Sequence, residues 1–287
     1  MSLKDRISAA WRQHGDDPEG VAAGLAAMAA EVDADQAPAL AGLAMHVLGE
    51  HLGRYDEGVE LLQVGFRDLA GLPQVLRSRI ALVLARDADE AVLAMVPGEG
   101  AQRTSGEVRV WANALGMRAA RGDMATAGRW LARAGAAAFK LPADDPAVRS
   151  VAVAANNLAC ELELRAERAG EEDRVLRSAA QLAFACWERA GTWVNVERAE
   201  YRLAKTHLAL GEPVPAVTHA LSCLQICLNQ GAEPDELVYA HEVLALALRA
   251  AGDADGHAEQ VAAIRAIEEA GGPELAASAR KLRESVS

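Results

Sequence analysis

The sequence predicts an all-α protein built from helical hairpins, and three observations lead to this prediction. Aromatic residues make up only 4% of the 287 residues, although hydrophobic residues make up 51%. Strands favour aromatic and β-branched side chains, whereas Ala and Leu favour helices. No stretch alternates polar and apolar residues with a period of two, so we expect essentially no sheet. The ten prolines lie between the periodic stretches rather than within them.

The prolines and their acidic neighbours predict where helices begin. Pro18 and Pro234 each follow an acidic residue. Proline suits the first position of a helix because its missing N–H would have no partner there. We interpret Asp123 as an N-cap, and Thr104 together with Glu107 as a capping box.

Turn glycines recur along the chain and predict repeated hairpins. Each is followed by an acidic residue or Arg, and they are Gly15, Gly53, Gly122, Gly170, Gly211 and Gly252. With a weaker turn at Arg86-Asp87, the intervals run from 33 to 48 residues, and a small residue often follows five positions after each turn. A hairpin cannot bury its apolar stripe alone, so the units must stack. We predict one domain over residues 1–287, with six or seven hairpins and a capping helix over 273–286.

The segment from Gly53 to Leu62 resembles the second half of a tetratricopeptide repeat (TPR), with its Gly-x-Tyr turn, small residue and bulky residue. Trp111, eleven residues before Gly122, matches the bulky residue early in the first helix of that repeat. The resemblance covers roughly residues 4–272. It implies a right-handed superhelix, an α-solenoid of stacked antiparallel hairpins. The last three intervals, of 48, 41 and 41 residues, are longer than the usual repeat of about 34 residues, as in the TPR domains of bacterial regulators.

The resemblance also implies a binding groove, because the first helix of each TPR pair lines a concave surface. Registering the chain on its turn glycines gives nine groove residues: Arg109, Asn113, Asn157, Arg198, Tyr201, Arg202, Lys205, Tyr239 and Glu242. TPR grooves that hold a peptide C-terminal carboxylate use Lys, Arg and Asn. The implied partner is therefore a protein or peptide that is acidic or ends in a free carboxylate. The alternative is a solvated face on which Glu242 and Glu197 neutralise the cations.

Motifs for catalysis, cofactors or metals are absent from the sequence. It contains no phosphate-binding loop, nucleophile elbow or dinucleotide motif, and its seven histidines are scattered. His219, Cys223 and Cys227 lie along one helix face, but they span about 12 Å of helix rise, which is too long for one ion. We expect these three residues to pack in the core, and we predict no catalytic residue, no metal ligand and no cofactor.

Three functions remain open at this point. We favour a non-catalytic scaffold or adaptor that binds a protein or peptide. The second hypothesis is a regulatory domain that senses a signalling peptide or a small metabolite, and the third is an enzyme with a site inside the superhelix.

The net charge and the cysteine count limit the kinds of partner and the cellular compartment that we expect. The formal net charge of −12 disfavours nucleic acid and anionic membrane surfaces. Four cysteines are too few for a disulfide framework, and no signal peptide is apparent, so we expect a cytoplasmic protein. The N-terminal hairpin, with Ile7, Trp11, Val21 and Leu25, is a candidate homodimer surface.

Overall fold

A computed structural model describes residues 1–286, and every regular element in that range is helical. The α-helices are α1 (Leu3–Gln13), α2 (Pro18–Glu31), α3 (Ala37–Met45), α4 (Tyr55–Glu60), α5 (Pro73–Asp87), α6 (Gly100–Ala120), α7 (Met124–Ala138), α8 (Pro146–Glu163), α9 (Gly170–Ala190), α10 (Trp193–Ala209), α11 (Pro213–Gln230), α12 (Pro234–Ala251), α13 (Ala254–Ala270) and α14 (Pro273–Val286). Residues His46–His51 and Leu61–Gly65 form π-helical segments, and Arg67–Leu69 and Glu90–Met95 form 3₁₀ turns. Within the described range, the prediction of an all-helical chain is confirmed.

The predicted helix starts agree with the structure where proline or aspartate defines them. Pro18 and Pro234 are each the first residue of a helix, as are the prolines that open α5, α8, α11 and α14. Asp123 is the N-cap of α7, and its carboxylate accepts a hydrogen bond from the backbone N–H of Thr126 at 3.1 Å.

The predicted capping box at Thr104 and Glu107 is wrong. Both residues lie inside α6, four and seven residues after it begins at Gly100. The Thr104 hydroxyl donates a hydrogen bond to the Gly100 carbonyl oxygen at 3.1 Å, which is the backbone contact typical of Thr within a helix.

Left-handed residues mark most of the predicted turns. Gly53, Gly122, Gly211 and Gly252 have φ values between +64° and +80°. Such values favour glycine because it has no Cβ. At the weaker turn after Asp87, Ala88 takes φ +57°. Gly170 differs from this pattern, since it is the first residue of α9 rather than part of a left-handed turn.

The chain divides into two compact units, unit 1 over Met1–Ala154 and unit 2 from Ala155 onward. In unit 1, α5 packs against α3, α4 and α6, and α6 packs against α7. A Cβ on Gly58 of α4 would lie 2.8 Å from the Leu82 side chain of α5. The small residue predicted at this position therefore permits the close approach of these two helices.

Unit 2 also packs mainly between helices that follow one another in sequence. Helix α10 contacts α9 and α11, α12 contacts α11 and α13, and α14 contacts α12 and α13. Cys223 and Cys227 are fully buried in its core beside Ala220 and Val243, so the prediction that these two thiols pack in the core is confirmed. The same prediction does not hold for His219, which is only partly buried and has its Nδ1 2.6 Å from Glu200 Oε2.

Three broader predictions are not decided by these contacts. They are the single domain over residues 1–287 with its six or seven hairpins, the right-handed superhelical course, and the capping role of residues 273–286. A helix does span Pro273–Val286, and it buries Ala279 and Val286. Among the described residues, no helix combines the length and the apolar character needed to cross a membrane.

Candidate functional site

The basic stripe predicted between Val194 and Leu210 lies on α10. Helix α10 begins with a capping box, in which the Asn195 side chain accepts a hydrogen bond from the backbone N–H of Thr192 at 2.9 Å. The residues of the stripe follow one helical face because they are three or four positions apart. We call this set the α10 stripe, and it consists of Arg198, Tyr201, Arg202 and Lys205.

The two arginines of the α10 stripe pair with acids on different neighbouring helices. Arg198 forms an ion pair with Glu236 of α12, and Arg202 Nη1 lies 2.5 Å from Oε2 of Glu163 in α8. The Arg198 side chain is 64% exposed, whereas that of Arg202 is only 20% exposed. Arg198 is therefore the cation that an incoming ligand can reach.

A buried carboxylate on α12 holds the other two residues of the α10 stripe. The Tyr201 hydroxyl donates a hydrogen bond to Glu242 Oε2 at 3.1 Å, and Lys205 Nζ lies 3.9 Å from Glu242 Oε1. Burial raises the pKa of Glu242, and the Lys205 charge acts against this shift. Burial and the nearby Glu242 charge raise the pKa of Tyr201, so its hydroxyl remains a donor.

A pocket with a volume of about 350 Å³ opens beside the α10 stripe. It is lined by Asn156, Glu197, Arg198, Tyr201, Arg202, Asp235, Glu236 and Tyr239. The rings of Tyr201 and Tyr239 meet edge to face, with centroids 6.5 Å apart. Tyr239 is 42% exposed, so its ring offers apolar surface at the mouth of the pocket.

One acid in the pocket wall has an unusual environment. Glu197 is 1% exposed, and its Oε1 accepts a hydrogen bond from Cys223 Sγ at 2.9 Å. Its Oε2 is buried without a hydrogen-bond partner among residues 1–286. Burial is the main cause that raises the pKa of Glu197. Glu197 thus has a core thiol as its hydrogen-bond donor, while the nearby Arg198 charge acts against the rise of its pKa.

The other predicted groove residues occupy several different places. Asn157 is exposed, and the pocket is lined by its neighbour Asn156 instead. Arg109 and Asn113 lie on α6 in unit 1, where Arg109 Nη2 donates a hydrogen bond to Gln74 Oε1 at 2.8 Å. Burial lowers the pKa of Arg109.

Sequence reasoning missed the acids that complete this site, Glu163, Asp235 and Glu236. A signal for two of them does exist in the repeat. Glu236 follows Arg198 by 38 residues, and Glu163 precedes Arg202 by 39 residues. Both separations are close to one repeat, so residues of opposite charge at that spacing indicate pairs between stacked hairpins.

Comparison with known proteins identifies the fold. No protein-family model matches the chain, and no curated protein matches it. Among solved structures, it is similar to a Podosopora anserina protein described as a kinesin light chain with nearly identical TPR-like repeats. The two are 17% identical, the alignment covers 81% of this chain and 96% of that chain, and the TM-score is 0.50.

The fold is TPR-like. A second similar structure is BtubC from P. vanneervenii, 16% identical over 95% of this chain and 94% of that one, with a TM-score of 0.48. The match to the kinesin light chain structure, together with the helical pairs of the chain, confirms at the level of the fold the resemblance seen in the Gly53 to Leu62 segment. In this TPR-like chain, the α10 stripe and its pocket belong to unit 2.

Proposed function

We propose that this TPR-like chain is a non-catalytic scaffold or adaptor that binds a peptide segment of a partner protein in the pocket beside α10. The observation that supports this function is that one pocket combines two tyrosine rings with an exposed arginine, which can exchange its carboxylate partner for one on a ligand. Tyr and Arg are the residues most often found at the energetic centre of protein interfaces. Tyr201 is held by Glu242, so little rotamer freedom is lost when a ligand packs on it.

Arg198 supplies the proposed carboxylate contact. In its ion pair with Glu236, the Arg198 side chain is 64% exposed, although that of Glu236 is 20% exposed, and ion pairs that water reaches contribute little to stability. A carboxylate on the partner can therefore replace Glu236, and the guanidinium can hold both of its oxygens. This supports a partner that offers an acidic side chain or a free C-terminal carboxylate.

The acids of the pocket fit the rest of a peptide. Asp235 is exposed at the pocket, and Glu236 is partly exposed there. Both carboxylates can accept hydrogen bonds, which peptide N–H groups supply. The pocket therefore suits a ligand that carries a carboxylate and several N–H donors, as a peptide end does.

A matched peptide assay tests this function. Fluorescein-labelled hexapeptides, acidic or basic and with either a free or an amidated C-terminus, are titrated with the full chain, and binding is followed by fluorescence polarisation. We expect a subset of peptides with a carboxylate to bind, and Arg198→Ala or Tyr239→Ala to weaken this binding by about tenfold or more.

Arg280→Ala is the control for that assay. Its side chain is 60% exposed and is paired with Glu268, much as Arg198 is paired with Glu236. Binding should survive Arg280→Ala. Equal binding of amidated and free basic peptides, or equal losses in Arg198→Ala and Arg280→Ala, would contradict the proposed site.

The dimensions of the pocket favour a second candidate, a domain that senses a small metabolite. Its volume of about 350 Å³ falls in the range of small-molecule sites. A panel of amino acids and small dicarboxylates tests this candidate through the melting temperature, since a ligand specific for the native state raises it. A rise that Tyr239→Ala abolishes, without any peptide binding, would favour the sensor over the scaffold.

The proposal extends to compartment and assembly. The four cysteines are free thiols and the net charge is −12; both support a cytoplasmic protein whose partners are neither nucleic acid nor membrane. Homodimerisation through the N-terminal hairpin is proposed as well. Light scattering coupled to size exclusion tests it directly, because Trp11→Ser should convert a dimer to a monomer.

A further inference from the structure

Three histidines from two parts of the sequence meet in unit 1. His14 is the C-cap of α1, and His46 and His51 are the first and last residues of the first π-helical segment. Each offers one ring nitrogen, and these three atoms lie within 4.8 Å of one another. The Nε2 atoms of His46 and His51 are 3.1 Å apart.

The π-helical turn brings His46 and His51 together. In an α-helix, residues five positions apart point about 140° away from each other. In a π-helix, hydrogen bonds join residues i and i+5, so such residues become neighbours on one face. The backbone N–H of Leu52 donates to the Val47 carbonyl oxygen at 3.1 Å, which is a bond of this kind.

Two of the three rings are oriented by a contact at Nδ1, on the side of the ring away from Nε2. His46 Nδ1 lies 3.0 Å from Glu50 Oε2, and His14 Nδ1 lies 2.6 Å from the carbonyl oxygen of Trp11. An acceptor at Nδ1 fixes the proton there and leaves a lone pair on Nε2. Metal-binding histidines in proteins are held by the same kinds of partner, carboxylates and backbone carbonyls.

Hydrogen bonds among the three rings leave at least one lone pair of the cluster without a donor from another ring. With Nδ1 protonated, His14 and His46 both present lone pairs on Nε2, so His51 is the only ring left that can donate into the cluster. One N–H cannot serve two acceptors at full strength. A cation at the centre satisfies all the facing nitrogens at once.

We propose that His14, His46 and His51 form a three-histidine site for a divalent transition metal, Zn²⁺ foremost, with water in the fourth position. Imidazole nitrogen is a preferred ligand of Zn²⁺, and sites with three protein ligands and one open position are typical of this ion. Glu50 is a positioning residue that acts on the metal through His46.

The distances fit this ion after small ring movements. Zn–N bonds of about 2.0–2.1 Å at tetrahedral angles place the nitrogens about 3.3 Å apart. The His46–His51 pair is already near this value, and the widest pair must close by at most about 1.5 Å. His51 is exposed, so its ring has room to turn toward the other two.

Trp11 packs against the cluster and gives it one apolar wall. Its ring is stacked on His46, with centroids 5.5 Å apart and an interplanar angle of 28°, and it meets His14 edge to face at 5.2 Å. Apolar neighbours of this kind limit the access of water to metal ligands.

Metal titration of the tag-free full chain, after removal of bound metal with a chelator, tests the proposal. Calorimetry should show one Zn²⁺ per chain with a Kd of about 1 µM or tighter. Co²⁺ in place of Zn²⁺ should give the visible absorption of a tetrahedral centre. His14→Gln, His46→Gln and His51→Gln should each weaken binding more than about tenfold, and Glu50→Gln by about 10- to 100-fold.

His241→Gln is the matched control, because His241 Nδ1 contacts a side chain, Gln260, away from the cluster and in unit 2. This variant should bind Zn²⁺ like the unaltered chain. Circular dichroism of each variant without metal separates loss of ligand from loss of fold, and the exposed His51 is the safest position to replace. A Kd weaker than about 100 µM, or equal binding by the His51→Gln and His241→Gln variants, would overturn the site.

Discussion

The Tyr201 hydroxyl donates a hydrogen bond to the buried carboxylate of Glu242 across 3.1 Å, linking α10 to α12. Glu242 is 4% exposed, so this bond replaces hydration that the carboxylate has lost. The same bond fixes the edge of the Tyr201 ring against Tyr239. The shape of the pocket therefore depends on a contact made inside unit 2, beneath its surface.

Tyr201→Phe removes this donor and leaves a buried carboxylate oxygen without it. We expect the free energy of unfolding to fall by about 1–3 kcal/mol, the usual effect of an unsatisfied buried acceptor. Tyr239→Phe is the control, because Tyr239 is exposed, and its effect should remain within about 0.5 kcal/mol. Urea denaturation measures both variants, and equal losses would show that the Tyr201 bond does not stabilise the fold.

The two arginines of the α10 stripe should differ in their effect on stability. Arg202 and Glu163 have side chains that are 20% and 11% exposed, so Arg202→Ala strands a largely buried carboxylate and should cost about 1–3 kcal/mol. Arg198→Ala should cost less, about 1 kcal/mol or below, because the Arg198 side chain is 64% exposed and Glu236 is less buried than Glu163. Denaturation by guanidinium chloride measures the free energy of unfolding of both variants. The reverse order would mean that Arg202, rather than Arg198, is free to exchange partners with a ligand.

We expect Glu212 to make the stability of unit 2 sensitive to acid. Its carboxylate is held by Arg177 at 2.7 and 2.8 Å and by His207 Nδ1 at 2.8 Å. These contacts, Arg177 first, lower the pKa of Glu212 from 4.5 to about 2. A pKa lowered in the folded state stabilises the fold above the ordinary value, and this contribution is lost as the pH falls from about 4.5 to about 2.

Glu212→Gln should therefore flatten the fall of the melting temperature across that acidic range, while lowering the melting temperature near neutral pH. Glu259→Gln, which removes an exposed carboxylate of α13, should leave the slope of the acid branch unchanged. Parallel acid branches for the Glu212→Gln variant and the unaltered chain would contradict the assignment.

Replacing Asp123 and Thr104 by alanine should have different effects on stability. Asp123→Ala removes the N-cap of α7 and the pair that Asp123 forms with Arg118, and it should cost about 1–2 kcal/mol. Thr104→Ala removes a hydroxyl that only bonds back within α6, and alanine has the higher helix propensity, so stability should stay level or rise by a few tenths of a kcal/mol. Thermal unfolding of the two variants checks both signs.

Local signals made the helices predictable. A proline at the first position or an aspartate at the N-cap acts within one turn, so Pro18, Pro234 and Asp123 defined helix starts correctly. The capping box predicted at Thr104 is wrong because its sequence pattern also occurs inside helices. Only the conformation of the preceding backbone distinguishes a helix start from a helix interior. The register inferred from the turn glycines selects Asn157, whereas the pocket is lined by the preceding residue, Asn156.

The contacts between helices were less accessible from the sequence. The ion pairs of the α10 stripe depend on which face of α12 and α8 turns toward α10, and the helical period of one segment does not give this. The histidine cluster depends on a π-helical turn, which the sequence does not distinguish from an α-helical turn. With the α-helical period, His46 and His51 point away from each other, so the sequence predicts no cluster of histidines.

The internal pairing of the α10 stripe also determines how fast a partner can arrive. A chain of net charge −12 whose pocket cations are already neutralised creates no attractive field at long range, so an acidic peptide would gain no electrostatic steering. Its association rate should be that of an unassisted encounter, about 10⁵–10⁶ M⁻¹s⁻¹, and should rise slightly as added salt screens the repulsion. Selectivity would then reside in the lifetime of the complex, set by how well the incoming carboxylate competes with Glu236 once it is in contact.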